Sequence, residues 1–391
     1  MQKKFSKRIV SMKSSPILDL NSEVSRLKKS GVSVIDLSLG EPDFDTPKHI
    51  GDAAKAAIDS GQTHYTPTGG IWPLREGIAR KLRKDNGLEY EPSQVVVGVG
   101  TKQILASVFE VLCDTGDEVI IPTPAWATYV EQVRLAGAIP VMCRVAEPFK
   151  LNAALLEKVV SPKTKVLLLN SPANPTGAVI EKQELLNIAR LAVQKNIFVV
   201  SDEIYEKIHY RGRHVSIASL GQDIKNLTVT VNGFSKAYAM TGWRVGYAAG
   251  PKKIMDYVAA LSGQTTSGTS SVSQWAALSA VSGSQVCVRK MAEEFRRRGE
   301  FLFRAFLAMK GFSLTSPDGA FYLFPNIGKF LGKKYKTSDD WAHALLVTEG
   351  VAVVSGEAFF APEHIRVSFA APMSDLREAV KRIKRFVESE R

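Results

Sequence analysis

Residues 165–202 read KVLLLNSPANPTGAVIEKQELLNIARLAVQKNIFVVSD. The apolar run at 165–169 is strand-sized, 181–194 carries a helical pattern, and 197–200 is again β-branched and apolar. This is a strand–helix–strand unit. Working outward, 95–99 is followed by a helical pattern at 102–112, and 119–121 by another at 125–135. A strand at 227–231 leads through a loop to a further one at 244–249. Strands separated by helices of this length predict an α/β fold with a mainly parallel sheet covered on both faces. Right-handed crossovers then place the strands' C-terminal ends on one edge, where ligands usually bind.

The texture changes from about Trp275. A long helix at 289–307, short strands at 320–324, 351–354 and 364–369, and helices at 340–348 and 375–388 predict a smaller α+β domain. The first forty residues carry a helix (19–29) and a strand (34–38), expected to pack on that domain. The organisation read from this is an N-terminal arm at 1–44, a large domain at 45–285 and a small domain at 286–391.

The chain has 391 residues, 45% of them hydrophobic and 23% charged, which excludes disorder as its main state. No apolar run approaches the ~20 residues that cross a bilayer. The basic start lacks a signal-peptide core, so a cytoplasmic protein is expected. Net charge is +12, from 51 Lys+Arg against 39 Asp+Glu. The basic residues are dispersed, which argues against a dedicated nucleic-acid surface and fits solvated helix faces or acidic small molecules. Cys113, Cys143 and Cys287 show no metal-ligand spacing and read as small apolar side chains in a reducing compartment; no metal is expected.

Four segments carry chemistry. In SKAYAMTGWRVGY (235–247), Lys236 follows a strand and stands with Ser235 and Arg244, two phosphate-binding types. A lone lysine there is a solvated one; in this company it suits a Schiff base with a phosphorylated aldehyde. In SDEIY (201–205), Asp202 ends an apolar strand. It is either a helix cap or a carboxylate that keeps a pyridine nitrogen protonated, with the Tyr205 phenol nearby. SPANPTG (171–177) is either simply a stiff loop or one that presets Asn174 as a hydrogen-bond donor. GVGTKQ (98–103) opens a helix and can offer backbone N–H groups to an anion.

In this order the motifs resemble the fold-type I, pyridoxal-phosphate-dependent class I/II aminotransferases, most of all bacterial aspartate aminotransferases of the Iγ subgroup, some of which also act on prephenate. The resemblance runs from LSLGEPDFDTP (37–47) to RVSF (366–369). It implies a ping-pong transfer of an amino group between aspartate or glutamate and oxaloacetate or 2-oxoglutarate. It further implies that Lys236 binds the cofactor covalently and moves the proton, and that Asp202 holds the ring nitrogen. Tyr205 and Asn174 would bond the ring oxygen, while Gly100, Thr101, Lys102, Ser235 and Arg244 would hold the phosphate. Trp126 would stack on the ring. Arg366 would fork the substrate α-carboxylate, with Asn174, Trp126 and the Gly40 backbone beside it. Tyr65 would reach the phosphate of a neighbouring subunit, implying a homodimer with shared sites. By themselves Tyr65 and Trp126 read as core aromatics. Thr101 stands where many relatives have a second glycine, and Ala125 where an aromatic residue or serine is common.

Some relatives read the distal carboxylate with an arginine in the segment corresponding to 262–267, and this chain has none there. Lys13 and Lys102 match the polar positions that serve instead, although each also fits a solvated lysine. Their joint presence favours a dicarboxylic substrate and leaves prephenate open. Lyases that cleave C–S bonds, aminocyclopropane-carboxylate synthases and aminotransferases for aromatic or other amino acids share the motifs and form the alternative.

Overall fold

Buried apolar runs set the architecture of the computed structural model, which describes residues 5–10, 12 and 16–389. Strand β1 is the short segment Ile35–Asp36. The central sheet contains β2 (Val95–Gly98), β3 (Glu118–Thr123), β4 (Ile139–Arg144), β5 (Thr164–Asn170), β6 (Phe198–Asp202), β7 (Thr228–Gly233) and β8 (Gly246–Ala249). Their order is β2-β8-β7-β6-β5-β3-β4. The pairs from β7 across to β4 are parallel, as expected for an α/β fold.

Alternation along the strands explains the layers. Val166, Leu168, Val200, Val229 and Val231 bury against Ile104, Val108, Tyr129 and Met255 of helices on one face. Leu167, Leu169 and Val199 bury against Leu185 and Ile188 of the helix Lys182–Lys195 on the other. Both faces are dry, so the strands read as nearly continuous hydrophobic runs.

β8 runs antiparallel to both its neighbours. No helix crosses between β7 and β8; the intervening loop folds the chain straight back. That loop, residues 234–245, therefore stays at the C-terminal edge of the sheet, where it carries Lys236 and Arg244. The sequence reading placed no strand at β4. It is an edge strand paired with β3 alone, with Ile139 exposed and Pro140 inside it, a position that an edge tolerates.

Beyond the long helix Val286–Ala308 come β9 (Tyr322–Leu323), β10 (Val351–Ala352), β11 (Val354–Ser355) and β12 (Ile365–Ser368). β11, β12 and β9 form an antiparallel sheet. The single strand expected at 351–354 is split: β10 pairs in parallel with β1, while β11 pairs with β12. Helix Pro16–Lys29 packs Val24 against Leu346 and Ala352. Among the described residues no helix is long and apolar enough to cross a membrane, and Cys113, Cys143 and Cys287 are all free.

Candidate active site

A cleft of about 500 Å³ opens at the C-terminal edge of the central sheet. Gly40, Thr101, Lys102, Trp126, Asn174, Asp202, Tyr205, Ser235, Lys236, Arg244 and Arg366 line it. β6 ends in Asp202, β5 leads into the loop of Asn174, and β7 leads into Ser235 and Lys236, so the sheet register itself gathers these side chains. Asn170 ↔ Asp202 and Asp202 ↔ Val231 are paired positions across β5, β6 and β7.

Asp202 is buried. Its Oδ2 accepts a hydrogen bond from the Tyr129 hydroxyl at 2.7 Å, and its Oδ1 accepts from the Ile204 backbone N–H at 3.2 Å. Burial pushes its pKa up to about 6, against those two bonds, and the Glu203 charge adds to the rise. Lys236 donates to the Gly40 carbonyl. Burial lowers its pKa to about 8, Glu41 opposes the shift, and Arg366 and Arg244 add to it. An amine in this range supplies the neutral nucleophile that carbonyl chemistry needs.

Arg366 comes from β12 and is 1% exposed. It donates to Asn174 Oδ1 at 3.0 Å and to the Ser38 carbonyl at 2.6 Å, and it lies over the Tyr322 and Phe359 rings at 4.5 and 4.9 Å. Among the described residues no carboxylate pairs with it, and its Nε is buried without a hydrogen-bond partner. A buried guanidinium with an orphaned N–H is built for an arriving carboxylate. Asn174 is itself held by Asn170, whose Oδ1 accepts from the Asn174 N–H at 2.9 Å.

The opposite end is an anion cradle. Gly100 starts the helix Gly100–Leu112 with φ +76°, and a Cβ there would stand 2.5 Å from the Arg244 guanidinium. A Cβ at Gly246 would likewise meet the Thr101 N at 2.5 Å. Glycine at both places lets the helix start, the Thr101 and Ser235 hydroxyls and Arg244 converge. Lys102 sits with its Nζ 4.8 Å over the Trp126 ring. Desolvation and the neighbouring Arg244 lower its pKa. A carboxylate for a ring nitrogen, an amine for an aldehyde and donors for a phosphate fit pyridoxal phosphate.

Tyr65 does not reach this cleft. It is 95% exposed and borders a separate depression with Thr63, Thr66 and residues 266–272. Lys13 lies outside the described residues. Sequence reasoning also missed four residues that shape the site. Tyr129 meets Trp126 edge-on, with centroids 5.4 Å apart, and its only signal was an aromatic ring three positions further on. Tyr322 shares a 2.8 Å bond between hydroxyls with Tyr205. Ser38 and Asn170 act through a carbonyl and a side-chain amide that no local pattern reveals.

The family description "aminotransferase class I and II" matches residues 32–383. The chain is 44% identical to an aspartate aminotransferase of Geobacillus stearothermophilus, over 99% of each chain. It is 41% identical to a probable aspartate/prephenate aminotransferase of Aquifex aeolicus, over 99% of this chain and 100% of that one. A solved aspartate aminotransferase from Thermus thermophilus with maleate superposes with a TM-score of 0.94 at 40% identity, covering 98% of this chain and all of the other. The chain belongs to the class I and II aminotransferase family, an enzyme family whose members imply pyridoxal phosphate as cofactor.

Proposed function

We propose that this aminotransferase moves the amino group of aspartate or glutamate to oxaloacetate or 2-oxoglutarate, in ping-pong fashion, and that it also accepts prephenate. The observation that carries the reading is the buried Arg366 with its orphaned Nε, facing the same cleft as Lys236 and Asp202. The names of the Geobacillus and Aquifex relatives support the dicarboxylic donor and the prephenate acceptor.

The residues have separable tasks. Arg366 forks the substrate α-carboxylate, and Asn174 and the Ser38 carbonyl keep the guanidinium in plane for it. Tyr322 and Phe359 cover the guanidinium and exclude water from it. Thr101, Ser235, Arg244 and the helix start at Gly100 hold the cofactor's phosphate, with Lys102 at its edge. Trp126 packs on the ring and Tyr205 bonds its oxygen. Asp202, as an anion, keeps a proton on the ring nitrogen, and Tyr129 fixes the carboxylate for that purpose. When bound, pyridoxal phosphate supplies the electron sink that makes the substrate α-hydrogen acidic. Lys236 Nζ would hold the cofactor, and as a free amine it would take the proton from the substrate α-carbon.

The same reading divides the chain into an arm at 1–44, a large cofactor-binding domain at 45–285 and a small domain at 286–391. It makes the enzyme a cytoplasmic homodimer. Support for the dimer is Tyr65, 95% exposed beside a hydroxyl-rich depression and absent from the lining of its own cleft. The deciding experiment adds amino acids singly to the holoenzyme and follows the cofactor absorption band. Rapid conversion by aspartate and glutamate supports the assignment. Conversion by aromatic or aliphatic amino acids alone overturns it.

A further inference from the structure

Asp202 faces the cleft, while its neighbours Ser201 and Glu203 face a buried polar cluster that the chemistry above does not use. Glu203 is 1% exposed. Its Oε1 accepts from Ser201 Oγ at 3.0 Å and its Oε2 from Ser216 Oγ at 2.6 Å, with His214 Nε2 at 2.8 Å from the same Oε2. Asn86 knits the rest together. Its Nδ2 donates to Glu206 Oε2 at 2.7 Å and to Ser216 Oγ at 2.9 Å, and its Oδ1 accepts from Lys81 Nζ at 2.7 Å. Lys81 also pairs with Glu206.

Glu203, Glu206 and His214 offer ligand atoms within 4.8 Å of one another, the composition of a cation site. The Lys81 ammonium already stands there as the counter-charge, and both Glu203 oxygens are engaged by hydroxyls and imidazole. The cluster's product is geometric. Glu203 N–H donates to the Val231 carbonyl at 2.9 Å, Ile204 N–H donates to Asp202 Oδ1, and Glu206 N–H donates back to the Glu203 carbonyl at 2.9 Å. These bonds define the turn between Asp202 and Tyr205.

We propose that Glu203, clamped by His214 and Ser216, is a positioning residue that locks this turn and so aims Asp202 and Tyr205 into the cleft. The inference rests on Asp202 being the partner of the ring nitrogen. Buried side chains with every polar atom engaged hold one geometry, and a small misplacement of a catalytic group is costly.

The charges agree with this arrangement. Burial works against the His214 imidazolium, yet Glu203 and Glu206 raise its pKa above the ordinary value, against Lys81. His209, whose Nε2 accepts from the His214 backbone N–H at 2.8 Å, and the Lys207–Asp85 pair at 2.7 Å complete the titratable surroundings. With His214 protonated, two carboxylates face two cations, and the Glu203 anion stays close to Asp202.

The test compares Glu203→Gln, His214→Ala, His214→Gln and Asp202→Asn in the holoenzyme. Glu203→Gln should lower kcat roughly tenfold or more with KM nearly unchanged. It should also move the pH midpoint of the cofactor absorption band downward by about half a unit or more, since a buried negative charge adjoining Asp202 is lost. His214→Ala should lower kcat similarly, and His214→Gln, which keeps a donor toward Glu203, should restore it. Wild-type kcat and an unmoved midpoint in Glu203→Gln, even with a lower melting temperature, would make the cluster merely structural and overturn the proposal. If that variant does not fold, the two His214 variants decide: equal kcat in both overturns it. Asp202→Asn separates the two levels, because near-normal turnover there would sink the reading of the site itself.

Discussion

The Tyr129 hydroxyl bonds the Asp202 carboxylate at 2.7 Å, tying the end of β6 to a helix that begins at Thr128. That bond favours the anionic carboxylate in a place where burial disfavours it. Tyr129→Phe leaves the ring packed and removes only the donor. A hydrogen bond to a charged group is worth about 1.5–3 kcal/mol, so kcat should fall roughly ten- to hundredfold. Steady-state kinetics with a thermal melt as control will check it; full activity would show that the tyrosine is a packing residue only.

Asp202→Asn should separate function from stability. The folded-state pKa of Asp202 is about 6, above its ordinary 3.8, so the folded chain without cofactor binds the extra proton between those values. Stability therefore falls as pH rises through that window and stays reduced above about pH 6. Asparagine carries no charge to bury. The cofactor-free variant should melt higher than the cofactor-free wild type at pH 8, with the gap closing as pH falls toward 4, while turnover drops roughly a hundredfold or more. A variant that melts lower at pH 8 would contradict the burial argument.

Lys236 should carry the cofactor. Borohydride reduction of the holoenzyme followed by peptide mapping is expected to find the pyridoxyl group there and on no other lysine. Lys236→Ala should keep cofactor noncovalently and lose roughly a thousandfold or more in rate, because nucleophile and proton carrier vanish together. With burial setting its pKa near 8, the free amine of the cofactor-free protein should react with acylating reagents along a titration centred there.

Tyr65 sits 95% exposed and does not line its own cleft, so a role at the cofactor phosphate requires the cleft of a second copy. Mixing Lys236→Ala with Tyr65→Ala subunits should produce hybrid dimers in which one site regains both groups. Activity should rise above that of either parent. Fully active monomers in sedimentation would exclude a shared site.

The α/β fold was legible because β5, β6 and β7 are buried on both faces and show it as apolar runs. Lys236, Asp202 and Asn174 were legible as positions because they directly follow those runs. β4 was not, since an edge strand with Pro140 needs no continuous apolar face. The break at Val353 was hidden for another reason: the two halves of the run are claimed by different partners, one by β1 at the far end of the chain and the other by β12, which follows closely. Separation along the chain also hid the shaping of the site. Ser38 meets Arg366 across 328 positions and Tyr129 meets Asp202 across 73, and such pairs leave no local periodicity.

On the proposed reading, Lys102 is the cation that would select dicarboxylic substrates. Its ammonium stands over Trp126 at 4.8 Å in the lining of the cleft that holds Arg366, and desolvation and Arg244 depress its pKa, with no carboxylate pairing with it among the described residues. A substrate whose α-carboxylate sits on Arg366 and whose side chain points toward Trp126 would bring a distal carboxylate into reach of this cation. Lys102→Ala should then lower kcat/KM for aspartate and glutamate roughly ten- to hundredfold, the worth of one charge-assisted bond, and leave alanine nearly untouched. Because the aspartate carboxylate raises the lysine's pKa when it binds, the wild-type preference for dicarboxylates should weaken at high pH, where free Lys102 loses its proton. Prephenate, tested beside oxaloacetate as acceptor, should follow the dicarboxylates in its sensitivity to the substitution. Equal losses for alanine and aspartate would assign Lys102 to the phosphate cradle instead, and the search for the distal-carboxylate reader would move to the N-terminal arm and to residues supplied by a second subunit.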